Sequence, residues 1–187
     1  MRRPMLLCWL LPTLACSSVP QTQPGAITAD RVPASMAPML DAHNRVRAEL
    51  GVSPLRWSDG LAGYAQQWAD HLAADGCRMV HRRAAGADVV QVGENLFWAS
   101  PRRWSDGRVE QQPITAAEPA IDWASERADY DERSNTCAPG KMCGHYTQLV
   151  WRSTRLVGCG FSICPDLGQI WACNYDPPGN WVGQRPY

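Results

Sequence analysis

Apolar side chains recur at three- and four-residue steps in two long stretches of the chain. From Ser35 onward, Met36, Met39, Leu40, His43, Val46, Arg47 and Leu50 mark one face of a helix that Gly51 should close. Ser58 is a good N-cap for a second helix, whose buried stripe Leu61, Ala65, Trp68 and Leu72 runs to about Ala74 ahead of Gly76. Residues 78–93 lack periodicity and read as loop, and the run from Glu94 to Trp98 follows them. The polar stretch 99–114 reads as a surface excursion. Thr115-Ala-Ala-Glu118 has the form of a capping box, with Pro119 tolerated in the first turn of a helix carrying Ala120, Trp123, Arg127 and Tyr130. A short helix is predicted over 144–151, and two strands over 156–163 and 169–175, joined by a turn at 165–168. Helices first and a hairpin last predict an α+β domain.

The start of the chain has a different pattern. Arg2-Arg3 followed by the apolar run from Met5 to Leu14 reads as a secretory leader, too short for a membrane span. Leu14-Ala15-Cys16-Ser17 has the form of a lipoprotein cleavage point, which would make Cys16 an acylated first residue and the membrane a partner through that anchor. Thr13 departs from that form, and an ordinary leader cut near Ala15 or Ser18 is the alternative. Residues 17–34, rich in Ser, Pro, Gln and Thr, read as a flexible tether, leaving 35–187 as one domain. Export places the domain outside the cytosol, either extracellular or anchored in a periplasmic or outer-membrane setting.

Composition narrows the chemistry. Lysine plus arginine number 18 against 18 aspartate plus glutamate, so nothing in the charge balance favours nucleic acid. Removing Cys8 and Cys16 from the eight cysteines leaves Cys77, Cys137, Cys143, Cys159, Cys164 and Cys173, an even set in an exported chain and hence a disulfide framework. Spacing alone leaves their pairing open, although Cys164 and Cys173 flank the predicted hairpin turn and could face each other across it. Paired cysteines leave no thiolate nucleophile. Neither a G-x-S-x-G elbow nor an H-E-x-x-H metal motif occurs. Nine tryptophans against two phenylalanines suit a small core, and some of them could line a groove for an apolar ligand.

Two segments are more specific than any of this. Cys137-Ala-Pro-Gly-Lys-Met-Cys143-Gly-His145-Tyr146-Thr147-Gln148 and the closing run Cys173-Asn174-Tyr175-Asp176-Pro-Pro-Gly-Asn180-Trp181 to Tyr187 resemble the signature motifs of the CAP superfamily: cysteine-rich secretory proteins, antigen 5 and pathogenesis-related proteins. The ending is most similar to the plant pathogenesis-related branch. The resemblance implies a three-layer α-β-α sandwich with a small antiparallel sheet, and the pairings Cys77–Cys159, Cys137–Cys143 and Cys164–Cys173. It also implies a tetrad of two histidines and two glutamates, which maps onto His81, Glu94 in Gly93-Glu94-Asn95-Leu96, Glu126 in Trp123-x-x-Glu126-x-x-x-Tyr130, and His145.

Two imidazoles with two carboxylates can be read in two ways. His81 and His145 could hold zinc or another divalent cation, the carboxylates fixing their tautomers; or the four groups could satisfy one another as a buried polar network. Tyr146 and Gln148, beside His145, are expected to wall the cleft. His43-Asn44-x-x-Arg47 is expected to be structural, and Asn174 and Asn180 to support turns and backbone. The functional expectation is a monomeric exported binding module for a sterol, lipid or other apolar small molecule at a host–microbe boundary. The alternative is a metal-assisted hydrolase built on the His/Glu cluster.

Overall fold

The computed structural model describes residues 30–83 and 91–187. The leader, Cys16 and most of the tether lie outside the described residues. Helix α1 (Ala37–Glu49) leads to a two-residue strand β1 (Arg56–Trp57) and the long helix α2 (Asp59–Ala74). Strand β2 (Gly93–Ala99) and a small hairpin, β3 (Arg102–Arg103) with β4 (Val109–Glu110), follow. Next come α3 (Glu118–Ser125) with a 3₁₀ turn over Glu126–Asp129, and a second small hairpin of β5 (Tyr130–Asp131) and β6 (Thr136–Cys137). Helix α4 (Gly144–Leu149) and the long hairpin β7 (Leu156–Ile163) and β8 (Gln169–Asp176) end the domain.

One sheet in the order β1-β7-β8-β2 divides the molecule; it is antiparallel except where β1 runs parallel to β7. Strand alternation sends Trp171, Cys173 and Tyr175 to one face and Ile170 and Ala172 to the other. The first face packs under α1, α3 and α4 with Met39, Trp123, Tyr146 and Leu149; the second packs under α2 with Ala65, Ala69 and Leu72. This is the expected three-layer α-β-α arrangement. Helix α2 can lie close on β7 because Gly158 and Gly160 face it: a Cβ on Gly158 would sit 2.1 Å from the Ala62 nitrogen.

The His43-Asn44-x-x-Arg47 motif holds layers together, as expected. Asn44 makes reciprocal bonds with Leu55, accepting its N–H at 2.7 Å and donating to its carbonyl at 3.0 Å. The Arg47 side chain is fully buried and donates to the carbonyls of Ser53, Leu149, Trp151 and Thr154.

Two of the three disulfide pairings implied by the resemblance are corrected. Cys137–Cys143 forms, but the others are Cys77–Cys164 and Cys159–Cys173. Hairpin register gives the reason. Cys159 lies directly opposite Cys173 on the same sheet face, with Cα atoms 4.1 Å apart. Cys164 sits at the turn, its N–H on the Gly168 carbonyl, far from Cys173 along the strand. It meets Cys77 instead, in the α2 layer.

Three local expectations also change. Thr115 does not cap a helix N–H; its hydroxyl donates to the Glu118 carboxylate at 3.1 Å, and Ala117 is the N-cap. Helix α3 stops at Ser125, so Arg127 lies in the 3₁₀ turn and Tyr130 opens a hairpin, where its hydroxyl donates to Asn135. Asn174 has the backbone half of its expected role and not the turn half: it is a fully buried strand residue whose amide donates to the Gly93 carbonyl at 3.1 Å across the strands.

Candidate functional site

Each histidine of the expected tetrad is paired with one glutamate. His81 follows α2 in a loop held by two contacts: the Trp68 indole N–H donates to the Val80 carbonyl at 3.0 Å, and the Arg82 guanidinium lies 3.7 Å from the Tyr64 ring centre. Glu94, on β2, accepts His81 Nδ1–H at 2.9 Å and the Arg82 N–H at 3.0 Å on the same oxygen. Glu126, where α3 gives way to the 3₁₀ turn, accepts His145 Nδ1–H at 2.6 Å; its other oxygen accepts the backbone N–H groups of His145 and Tyr146 at 3.0 and 3.1 Å. Asn95 joins the halves by donating to the His145 carbonyl at 3.0 Å.

A carboxylate can only accept, so both imidazoles carry their proton on Nδ1 in the neutral state and present Nε2 as a lone pair. The two sites differ in exposure. The His81 side chain is 63% exposed and that of His145 15%. The hydrogen bond to Glu94 raises the His81 pKa above its ordinary value despite partial burial. Burial pushes the Glu126 carboxyl up, but the His145 side chain and the backbone N–H groups outweigh it and hold the group below its ordinary range.

Both imidazoles line one cavity of about 250 Å³, together with Glu94, Asn95, Met142, Gly144 and Asn180. Glu126 stands behind His145 rather than on the cavity wall. Tyr146 and Gln148, expected as cleft walls, do not reach the cavity. Tyr146 is fully buried with its hydroxyl on that of Tyr187 at 2.9 Å. Gln148 is buried with its carbonyl oxygen on the Gly179 N–H at 2.9 Å, filling space that Gly93 leaves open.

Asn95, Met142 and Asn180 were not foreseen as wall residues, though all three lie inside the two recognised motifs or the Gly93–Leu96 run. Asn180 has the backbone role expected of it as well: at φ +58° it donates to the Gly144 carbonyl at 2.8 Å and accepts the Thr147 hydroxyl at 2.7 Å. Among the described residues no three His, Cys, Asp or Glu side chains group to hold a metal. The available donor set is therefore the two Nε2 atoms, each with a carboxylate behind it.

The cysteine-rich secretory protein family model, CAP, matches residues 40–175, a span that holds all four tetrad positions. The chain belongs to the CAP family. Its CAP domain is 47% identical over 148 residues to pathogenesis-related protein 1C of Nicotiana tabacum, covering 79% of this chain and 78% of that protein. Among solved structures, the CAP domain is similar to Schistosoma mansoni venom allergen-like protein 4, with TM-score 0.63 and 23% identity over 83% of this chain and 95% of that one. It is also similar to a structure described as NaASP2 with Zn²⁺, with TM-score 0.61 and 20% identity over 82% of this chain and 84% of that one. These two likenesses bear on the fold alone.

Proposed function

We propose that this CAP protein is an exported binding protein acting at a host–microbe boundary, and that its cleft captures a divalent transition-metal ion, or a polar ligand through that ion, at Nε2 of His81 and His145. The observation that carries the reading is the matched pair of Nδ1–carboxylate bonds, which leaves two imidazole lone pairs on one cavity. The relative's name supports the boundary role. Catalytic zinc sites commonly use three protein ligands, so a two-imidazole donor set favours binding over hydrolysis. Met142 is the one large apolar side chain on this wall, which suits a polar ligand better than a sterol. The leader supports export, and acylation at Cys16 would add a membrane tether.

Calorimetric titration of the oxidised domain with Zn²⁺ tests the reading. We expect binding that is lost in His145→Ala and in His81→Ala while near-UV circular dichroism is kept. Protons compete for the same lone pairs, so affinity should fall on acidification, starting above about pH 6.5 because the His81 pKa is raised. Absence of zinc binding, with His145→Ala costing about 1–3 kcal/mol of stability, would leave the tetrad as a structural network instead.

A further inference from the structure

A second hollow, of about 340 Å³, shares Gly144 and Asn180 with the two-histidine cleft but none of its titratable groups. Three aromatic rings, Tyr130, Trp151 and Trp181, and four uncharged polar side chains, Asn135, Thr147, Asn180 and Gln184, line it, and no charged side chain does. The wall is held in place. The Tyr130 hydroxyl donates to Asn135 at 2.7 Å, and the Asn135 amide donates to the Gln184 carbonyl at 3.0 Å. Trp181 is 53% exposed, yet its indole N–H is tied to the Pro178 carbonyl at 3.1 Å, so an open ring is presented in a fixed pose. The exposed Gln184 side-chain amide makes no hydrogen bond among the described residues and is available to a ligand.

A third hollow, of about 300 Å³, adjoins this one through Trp151, Gln184 and Pro186, and its wall carries Arg152, Arg155 and Arg185 without a carboxylate. Arg155 donates to the carbonyls of Arg152 and Thr154, and Arg185 to those of Glu132 and Arg133. Carbonyl partners orient a guanidinium but leave its charge in place. None of the three arginines forms an ion pair among the described residues, although acidic residues stand close: Arg155 donates its backbone N–H to the Asp176 carbonyl, Arg185 bonds the Glu132 carbonyl, and the Asp131 carboxyl feels Arg185 weakly.

The open, oriented Trp181 ring, beside the half-buried Tyr130 and the buried Trp151 with uncharged amides and a hydroxyl around them, suits the flat apolar face and hydroxyl edge of a sugar ring. Three guanidinium groups beside them suit a planar carboxylate or a sulfate. We propose that the two hollows form one subsite for an anionic saccharide, with a sugar ring against the aromatic wall at Trp181 and its acidic group among Arg152, Arg155 and Arg185. The subsite uses neither His81 nor His145 and needs no metal, so it stands apart from the reading of the cleft.

The test titrates the full oxidised protein with trigalacturonic acid in the presence of a chelator, read by tryptophan fluorescence and calorimetry. Maltotriose and sodium sulfate are run in parallel. The acidic trisaccharide should bind, more weakly as salt is raised. Trp181→Ala and Arg152→Gln should each weaken it about tenfold, the loss of one good contact, without moving the thermal midpoint, since both side chains are exposed. Maltotriose should bind more weakly, and sulfate more weakly still. The proposal fails if the acidic trisaccharide does not bind, if maltotriose or sulfate matches it, or if neither substitution changes its affinity.

Discussion

His43 lies buried beneath α1 with both ring nitrogens engaged: Nδ1 donates to the Met39 carbonyl and Nε2 accepts the Tyr175 hydroxyl, each at 2.8 Å. Burial lowers its pKa to about 4, and burial also raises that of Tyr175. Between about pH 6.5 and 4 the unfolded chain therefore binds a proton that the folded chain refuses, and stability should fall as pH falls through that window. The loss should reach at most roughly 3 kcal/mol and be much smaller in His43→Gln, as read by urea denaturation at stepped pH. His81 contributes in the opposite sense, its stabilisation present at low pH and lost as pH rises through its raised pKa, but solvent screening of its exposed side chain makes that term small. Glu126 acts lower on the scale: its depressed pKa gives stability that is present above about pH 4.3 and lost as pH falls through the folded value. The four tetrad residues were legible because they sit in recognisable motifs. Tyr146 and Gln148 were misread because nearness in sequence was taken for nearness in space. Successive helical residues are turned by about 100°, so Tyr146, one step from His145, points into the core, while Gln148, three steps on, is held by the Gly179 N–H in the space over Gly93.

At the scale of elements, the first two helices were legible from three- and four-residue apolar steps and from the Ser58 cap, which accepts the Leu61 N–H at 3.3 Å, and the long hairpin from two strand-like runs joined by the turn at 165–168. Strand β2 has no strand signature in its sequence, since it carries buried side chains in succession, Leu96 and then partly buried Phe97, rather than a simple in–out pattern. The two corrected disulfide pairings were those the resemblance implies; the hairpin flanks make Cys164–Cys173 look feasible, and only the strand register, which sets Cys159 opposite Cys173, excludes it. Peptide mapping of unreduced protein should recover Cys77–Cys164 and Cys159–Cys173; fragments joining Cys77 to Cys159 would refute that register. Between α2 and β7 the glycines set the layer spacing. Gly158→Ala should cost about 1–3 kcal/mol, because its Cβ would meet the backbone of Ala62 rather than a side chain that can move. Thermal denaturation of the variant reads this directly.

For the whole molecule, the sheet between two helical layers separates the disulfides: Cys159–Cys173 lies under α1 and α3, Cys77–Cys164 under α2, and Cys137–Cys143 in the wall of the hollow at Trp181. Denatured but unreduced domain should show no reactive thiol among these six cysteines. Reduction should lower stability most through Cys77–Cys164, whose 87-residue separation makes it the longest closure. The third layer and the sharing of one cavity by His81 and His145 were reached through resemblance and not through periodicity, because both depend on contacts between segments far apart in sequence.

Helix α4, which carries His145, has six residues, too few to hold together alone in water. Its first N–H groups rest on the negative carboxylate of Glu126, and the carbonyls of Leu149 and, just beyond its end, Trp151 rest on the positive guanidinium of Arg47. Both charges have the sign that the helix macrodipole favours at that end. The aim of the cleft histidine is thus set by an electrostatic vice whose jaws belong to two other parts of the chain, and neutralising either jaw should let the ring swing before the domain unfolds.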